Sequence, residues 1–241
     1  GTNRTIWSRA APLLAAERPV TALDLPGFGA SPAPERWTIE SVAELIAETL
    51  ETDLGPGFDL LGSSLGGAVA LQIAAARPDL VHRLVLAAPA GFRPAPGPLP
   101  RVASLIAGPM LSVRRSAGLR FAGQAQARRA LLAGSVGDGA ALDPEAARLM
   151  LRASEGAHSL QPAMEAAASA DLRQRAARLE VPFGLIWGTL DRVIPAHTAE
   201  RVLELHPDVP LELIGGAGHL PHLEVPEQFA AALERVFSQL P

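Results

Sequence analysis

Phe58-Asp59-Leu60-Leu61-Gly62-Ser63-Ser64-Leu65-Gly66-Gly67 is a short apolar run that drives straight into a Gly-x-Ser-x-Gly turn. A turn of this kind lets the chain leave a buried strand, reverse and enter a helix with one serine hydroxyl at the apex. The serine is then strained, and its surroundings leave no room for side chains. Gly62, Gly66 and Gly67 are read as supplying that room, continued along the helix by Ala68 and Ala70. The register selects Ser64, which has glycine two residues away on either side, whereas Ser63 has Leu61 and Leu65 there. Leu65 to Ala76 predicts a helix, stopped by Arg77-Pro78-Asp79.

A serine hydroxyl is a poor nucleophile near neutral pH, so a general base must be in reach and a third group must orient it. Val181 to Trp187 predicts another buried strand, and Asp191 lies in the loop just beyond it. Leu211 to Ile214 predicts a third, followed by Gly215-Gly216-Ala217-Gly218-His219. Ser64, Asp191 and His219 each follow a predicted strand, at the edge where open α/β sheets collect their reactive groups. His222 follows Pro221 and reads as a surface or pocket-rim residue. His82, His158, His197 and His206 lack the strand-end position and read as ordinary histidines. Asp24 belongs to the turn at Pro26-Gly27 and reads as structural.

With these landmarks the chain resembles the α/β-hydrolase superfamily along nearly its whole length. Asp24-Leu25-Pro26-Gly27-Phe28-Gly29-Ala30-Ser31, the Ser64 turn, the Trp-Gly-x-x-Asp-x-x-x-Pro segment at Asp191 and the Gly-x-Gly-His segment at His219 carry the resemblance. It implies a mostly parallel central sheet flanked by helices, with a helical cap inserted over the active site. It also implies Ser64 as nucleophile, His219 as base and then acid, Asp191 as orienting carboxylate and the Leu65 N–H as one oxyanion-hole donor. No metal or organic cofactor is implied. Gly1-Thr2-Asn3-Arg4-Thr5-Ile6-Trp7 looks like the family stretch that starts at the last glycine of the loop supplying the second donor. On that reading the opening strands, about 25–30 residues, precede Gly1, and the natural polypeptide is expected to be longer.

The expected organisation is a core of residues 1–91 and 180–241 around a helical cap at 92–179. In the core, helix is expected from Arg4 to Glu17, strand from Val20 to Leu23, and helix from Ile39 to about Glu51. Thr38 is its expected N-cap, and Val42, Leu45, Ile46 and Thr49 its expected inner stripe. Strand at Arg83 to Ala87, helix from about His197 to Leu205 and a closing helix from Pro226 to about Leu240 complete it.

The cap region opens with Pro94, Pro96, Pro98 and Pro100, then shows helical stripes such as Val102, Leu105, Ile106 and Met110. From Arg93 to Gly137 it carries seven arginines and no carboxylate. Arg114, Arg115, Arg128 or Arg129 could pair with a substrate carboxylate, or the cap could contact a lipid interface; a solvated helix face is the plainer reading.

Net charge is −4, which offers no general attraction to nucleic acid, and no apolar run is long enough to span a membrane. With no Cys, thiol catalysis, thiolate metal sites and disulfides are excluded, and with no Lys a Ser-Lys dyad is too. The default compartment is the cytoplasm. The expected reaction is hydrolysis of a small or medium hydrophobic carboxylic ester through an acyl-enzyme. C–C bond or lactone hydrolysis in aromatic degradation, cofactor-free perhydrolase chemistry and a non-catalytic binding protein of the same fold are the alternatives.

Overall fold

The computed structural model describes residues 1–92, 115–170 and 172–241. Four strands, β1 (Phe58–Ser63), β2 (Val81–Ala87), β3 (Phe183–Gly188) and β4 (Leu211–Ile214), form one sheet in the order β1-β2-β3-β4, and every pairing is parallel. Ser63 pairs with Ala87, Ala87 with Ile186 and Gly188 with Ile214. The carboxyl ends therefore finish in line, and the residues after β1, β3 and β4 emerge along one edge.

Both faces of the sheet are covered, as parallel strands require. Side chains alternate across the pleat. Leu84, Leu86, Leu185 and Trp187 join one buried cluster with Leu71 and Ile73 of α3 (Leu65–Ala76). Val85, Ala87 and Ile186 join a second with Phe229, Leu233 and Val236 of α10 (Pro226–Gln239). Further helices are α1 (Ala11–Leu14), α2 (Ile39–Leu54), α4 (Ala125–Leu131), α5 (Pro144–Ala153), α6 (Leu160–Ser169), α7 (Leu172–Ala176), α8 (Glu200–Leu203) and α9 (Pro221–Glu224). Ala122, Leu132, Val136 and Leu151 make a third cluster with Ile6, Leu220 and Leu223. Residues 122–151 are thus anchored beside His219. The Pro94 to Pro100 stretch, the stripe from Val102 to Met110, Arg114 and Asp171 lie outside the described residues.

Several expectations change on inspection. Helix does not run unbroken from Arg4 to Glu17. A 3-10 turn at Arg4–Trp7, capped by Asn3, precedes the short α1. Pro12 explains the break, since it has no N–H to extend an incoming helix. Val20 to Leu23 has no strand pairing among the described residues and instead borders a cavity that also exposes Leu60 and Leu61 of β1. The expected helix from His197 to Leu205 is a 3-10 turn, Ala196–Ala199, running into α8. Thr38 does cap α2, and with Ser41 it forms a reciprocal capping box. The buried stripe of α2 is Ile39, Val42, Ala43, Ile46, Ala47 and Leu50, while Leu45 is 45% exposed and Thr49 faces solvent.

Candidate active site

Ser64 follows β1 directly and has φ 52° and ψ −117°, a conformation that costs a non-glycine residue strain. The surroundings over-determine it. Its N–H donates to the Ala87 carbonyl at 2.9 Å, and its own carbonyl accepts from Ala90 N at 2.9 Å. A side chain at Gly62 would lie 2.5 Å from the Gly66 carbonyl oxygen and 2.7 Å from Ala70 Cβ. One at Gly67 would meet Pro89 Cβ at 2.9 Å. Gly66 departs from the sequence reading, because no atom lies within 4 Å of where its Cβ would be. Leu65 is the first residue of α3, and among the described residues nothing accepts its N–H. The Ser64 hydroxyl likewise makes no hydrogen bond among the described residues.

Asp191 and His219 are brought together. Asp191 Oδ2 lies 2.7 Å from His219 Nδ1, and both residues are buried. The other carboxylate oxygen, Oδ1, accepts from Val193 N and Ile194 N, each at 2.8 Å. The loop is closed from the core side by Trp187, whose Nε1–H donates to the Ile194 carbonyl at 2.8 Å. The acid and base loops are also tied to each other. Thr189 N donates to Ile214 O at 3.1 Å, Leu190 N to Ala217 O at 2.8 Å, and Gly216 N to Thr189 Oγ1 at 3.0 Å. A Cβ at Gly188 would run into the carbonyl oxygens of Ala217 and Gly218, so only glycine allows this approach.

Ser64, Leu65 and His219 open onto one cavity with Trp7, Leu132, Met150, Leu151 and Leu220. Its volume, about 2690 Å³, exceeds that of common small-molecule sites because it continues past β1 to residues 20–25.

The other candidates separate clearly. Asp24 accepts from Arg4 N at 2.6 Å and Ala30 N at 3.0 Å, which fastens the Pro26-Gly27 turn to the first residues of the chain. His82 pairs with Asp59 at 3.1 Å, and His206 lies 2.7 Å from the Ala176 carbonyl oxygen. His222 lines the cavity but is no surface residue. It is 1% exposed, stacks on Trp7 with ring centroids 4.1 Å apart, and among the described residues neither ring nitrogen has a hydrogen-bond partner. Burial, and secondarily the nearby His219, push its pKa down to about 3. Arg128 turns inward and donates to the carbonyls of Ala122, Gly139 and Ala140, so it is not free for a substrate carboxylate. Arg129 is exposed with Asp138 3.7 Å away, and Arg115 lines the cavity. Glu224, which drew no attention in the sequence, accepts from both Gly218 N and Leu220 N, the amides on either side of His219.

Residues 1–232 match the model of the alpha/beta hydrolase family. The chain belongs to the alpha/beta hydrolase family. Among relatives in it is the pimeloyl-[acyl-carrier protein] methyl ester esterase of Neisseria meningitidis serogroup C, 33% identical over 96% of this chain and 88% of that one. The enzyme of that name from Chromobacterium violaceum is 31% identical, over 97% and 89%. In fold, the chain matches a putative aryl esterase from Burkholderia cenocepacia with a TM-score of 0.77 at 23% identity, covering 99% of this chain and 87% of that one. This alpha/beta hydrolase is a carboxylic ester hydrolase. Among its described residues no helix is long and apolar enough to cross a membrane, and no group of three His, Asp or Glu could hold a metal ion.

Proposed function

We propose that this hydrolase cleaves the methyl ester of a pimeloyl-type acyl group carried on an acyl-carrier protein, through an acyl-enzyme on Ser64. Two lines of support meet: the named activity of the Neisseria and Chromobacterium relatives, and an Asp191–His219 pair that opens on the same cavity as Ser64. The second is the observation that carries the mechanism.

In this reading Asp191 holds the Nδ1–H of His219, leaving Nε2 free to take the Ser64 proton as the hydroxyl attacks the ester carbonyl. The tetrahedral oxyanion is stabilised by the Leu65 N–H, which stands at the start of α3 with no competing acceptor among the described residues. Collapse expels methanol, protonated by His219. Water, activated by the same imidazole, then releases the carboxylate and regenerates Ser64. The Ser64–His219 contact forms with substrate in place, as catalytic hydrogen bonds often do. The helical region within residues 92–179 acts as the cap, with Leu132, Met150 and Leu151 lining the acyl path and Arg115 available to an anionic group on the carrier arm. A carrier-bound substrate fits a cytoplasmic enzyme.

The test is incubation with pimeloyl-acyl-carrier protein methyl ester, followed by mass spectrometry of the carrier. Loss of one methyl group with the thioester intact, abolished in Ser64→Ala, is the expected result. An untouched methyl ester, with free aryl esters or lactones turned over instead, overturns this substrate assignment.

A further inference from the structure

Glu224 closes the one-turn helix α9, five residues after His219. Its carboxylate accepts three backbone N–H groups. Oε2 takes Gly218 N at 2.9 Å and Gly137 N at 2.8 Å, and Oε1 takes Leu220 N at 3.1 Å. Two of these donors flank His219, and the third belongs to the turn after α4, 87 residues away from Glu224. An ionised carboxylate only accepts, with about four lone-pair sites, so it can serve three amides at once. No neutral side chain offers the same set.

Two of these stretches, residues 136–137 and 216–218, also meet as bare backbone. A Cβ at Gly218 would strike Gly137 N and the Val136 backbone, and one at Gly137 would strike the Gly216 carbonyl oxygen. Close-packed main chain has no rotamer with which to absorb a displacement. A shift of residues 136–137 is therefore passed to Gly218 and so to the Cα of His219. The imidazole has a second anchor, Asp191 on Nδ1. Aim at Ser64 requires both, since a ring tethered only at Nδ1 can still swing its Nε2.

We infer that Glu224 is a positioning residue, which sets the main chain on both sides of His219 and makes that setting depend on the helical region through Gly137. The inference rests on His219 being the base proposed above. Anything that moves the turn at 136–137, including a substrate entering past Leu132 and Met150, re-aims the base. Misplacement by about 1 Å is enough to cost on the order of 100-fold in rate.

The experiment compares wild type, Glu224→Gln and Gly137→Ala in three readouts: kcat and KM for an ester substrate, thermal midpoint, and the proton NMR resonance of the His219 Nδ1–H. Glu224→Gln keeps the shape but turns an NH2 group toward N–H donors. Gly137→Ala leaves the carboxylate and disturbs the contact from the helical side. The expected result in both is a kcat lowered on the order of 10- to 100-fold with KM nearly unchanged, and a shifted or lost Nδ1–H signal in protein that still melts cooperatively. Folded variants with wild-type kcat and an unmoved signal overturn the inference, leaving Glu224 only a structural cap. If Glu224→Gln does not fold, Gly137→Ala decides by the same criteria. If wild type itself turns over no ester, the proposed function fails, and the Nδ1–H signal still decides the role of Glu224.

Discussion

On the serine side of the cavity, geometry is stored in the backbone. Ser64 is held at φ 52° by main-chain bonds to Ala87 and Ala90 and by the missing side chains of Gly62 and Gly67, while its hydroxyl bonds to nothing among the described residues. On the acid–base side it is stored in polar side chains. Asp191, Thr189, Glu224 and Trp187 between them accept from or donate to seven groups on the two loops, and Glu224 accepts an eighth, Gly137 N, from the helical region. The difference teaches where each half is fragile. The serine turn tolerates loss of a polar group and no added volume at Gly62 or Gly67. The acid–base loops tolerate no loss of a polar group.

The largest effect expected from this contrast is chemical and leaves the fold untouched. Ser64→Ala removes an unbonded hydroxyl, so ester hydrolysis should fall by about 10⁶-fold with a thermal midpoint close to wild type. A large drop in midpoint would mean that the hydroxyl has a structural partner. Next comes Asp191→Asn, expected to lower kcat by about 10⁴-fold through the wrong imidazole tautomer, with substrate affinity retained. An effect below tenfold would detach Asp191 from the mechanism.

Gly62→Ala attacks the serine side by volume alone. Its Cβ would lie 2.5 Å from the Gly66 carbonyl oxygen, and overpacking of this kind costs about 1–3 kcal/mol. Chemical denaturation should show that loss. An unchanged midpoint would mean that the turn has more slack than its contacts suggest.

The smallest effect concerns His222 and has the opposite sign. Two buried ring nitrogens without partners are a standing cost, so His222→Phe should raise stability at neutral pH by about 1 kcal/mol while keeping the stack on Trp7. The pH dependence carries a second sign. The folded pKa of about 3 lies below the ordinary 6.5, so the unfolded chain binds the proton first as pH falls. Wild type should lose stability progressively from pH 6.5 down to about 3 through this group, and His222→Phe should lose less over that window. A variant that follows the wild-type acid limb, measured by denaturant midpoint against pH, would contradict the burial of a neutral imidazole.

The four strands were legible because uninterrupted apolar runs end in Gly and Pro, which is how doubly covered parallel strands read. The placement of the candidate site was legible for the same reason, since Ser64, Asp191 and His219 each follow such a run. What stayed hidden depends on neighbours that no local pattern names. The inner face of α2 is built on Ala43 and Ala47 in place of Leu45 and Thr49. A charged Arg128 reads as surface, yet three carbonyls draw it inside. His222 reads as surface or rim, yet along the cavity it is 1% exposed and stacks on Trp7. Glu224 left one signal, a carboxylate just past the histidine and just before Pro226, but its partner Gly137 is remote in sequence. Pro12 carried the signal for the break between the first turn and α1, and the expectation of one helix from Arg4 to Glu17 passed over it.

The central claim is that Ser64 is a nucleophile driven by His219 and Asp191. The most direct measurement is intact-mass spectrometry after a fluorophosphonate probe, with the adduct mapped by peptide sequencing. One adduct per chain on Ser64, absent in Ser64→Ala and formed far more slowly in Asp191→Asn, is the expected outcome. No adduct on the folded protein, or an adduct that persists in Ser64→Ala, would contradict it.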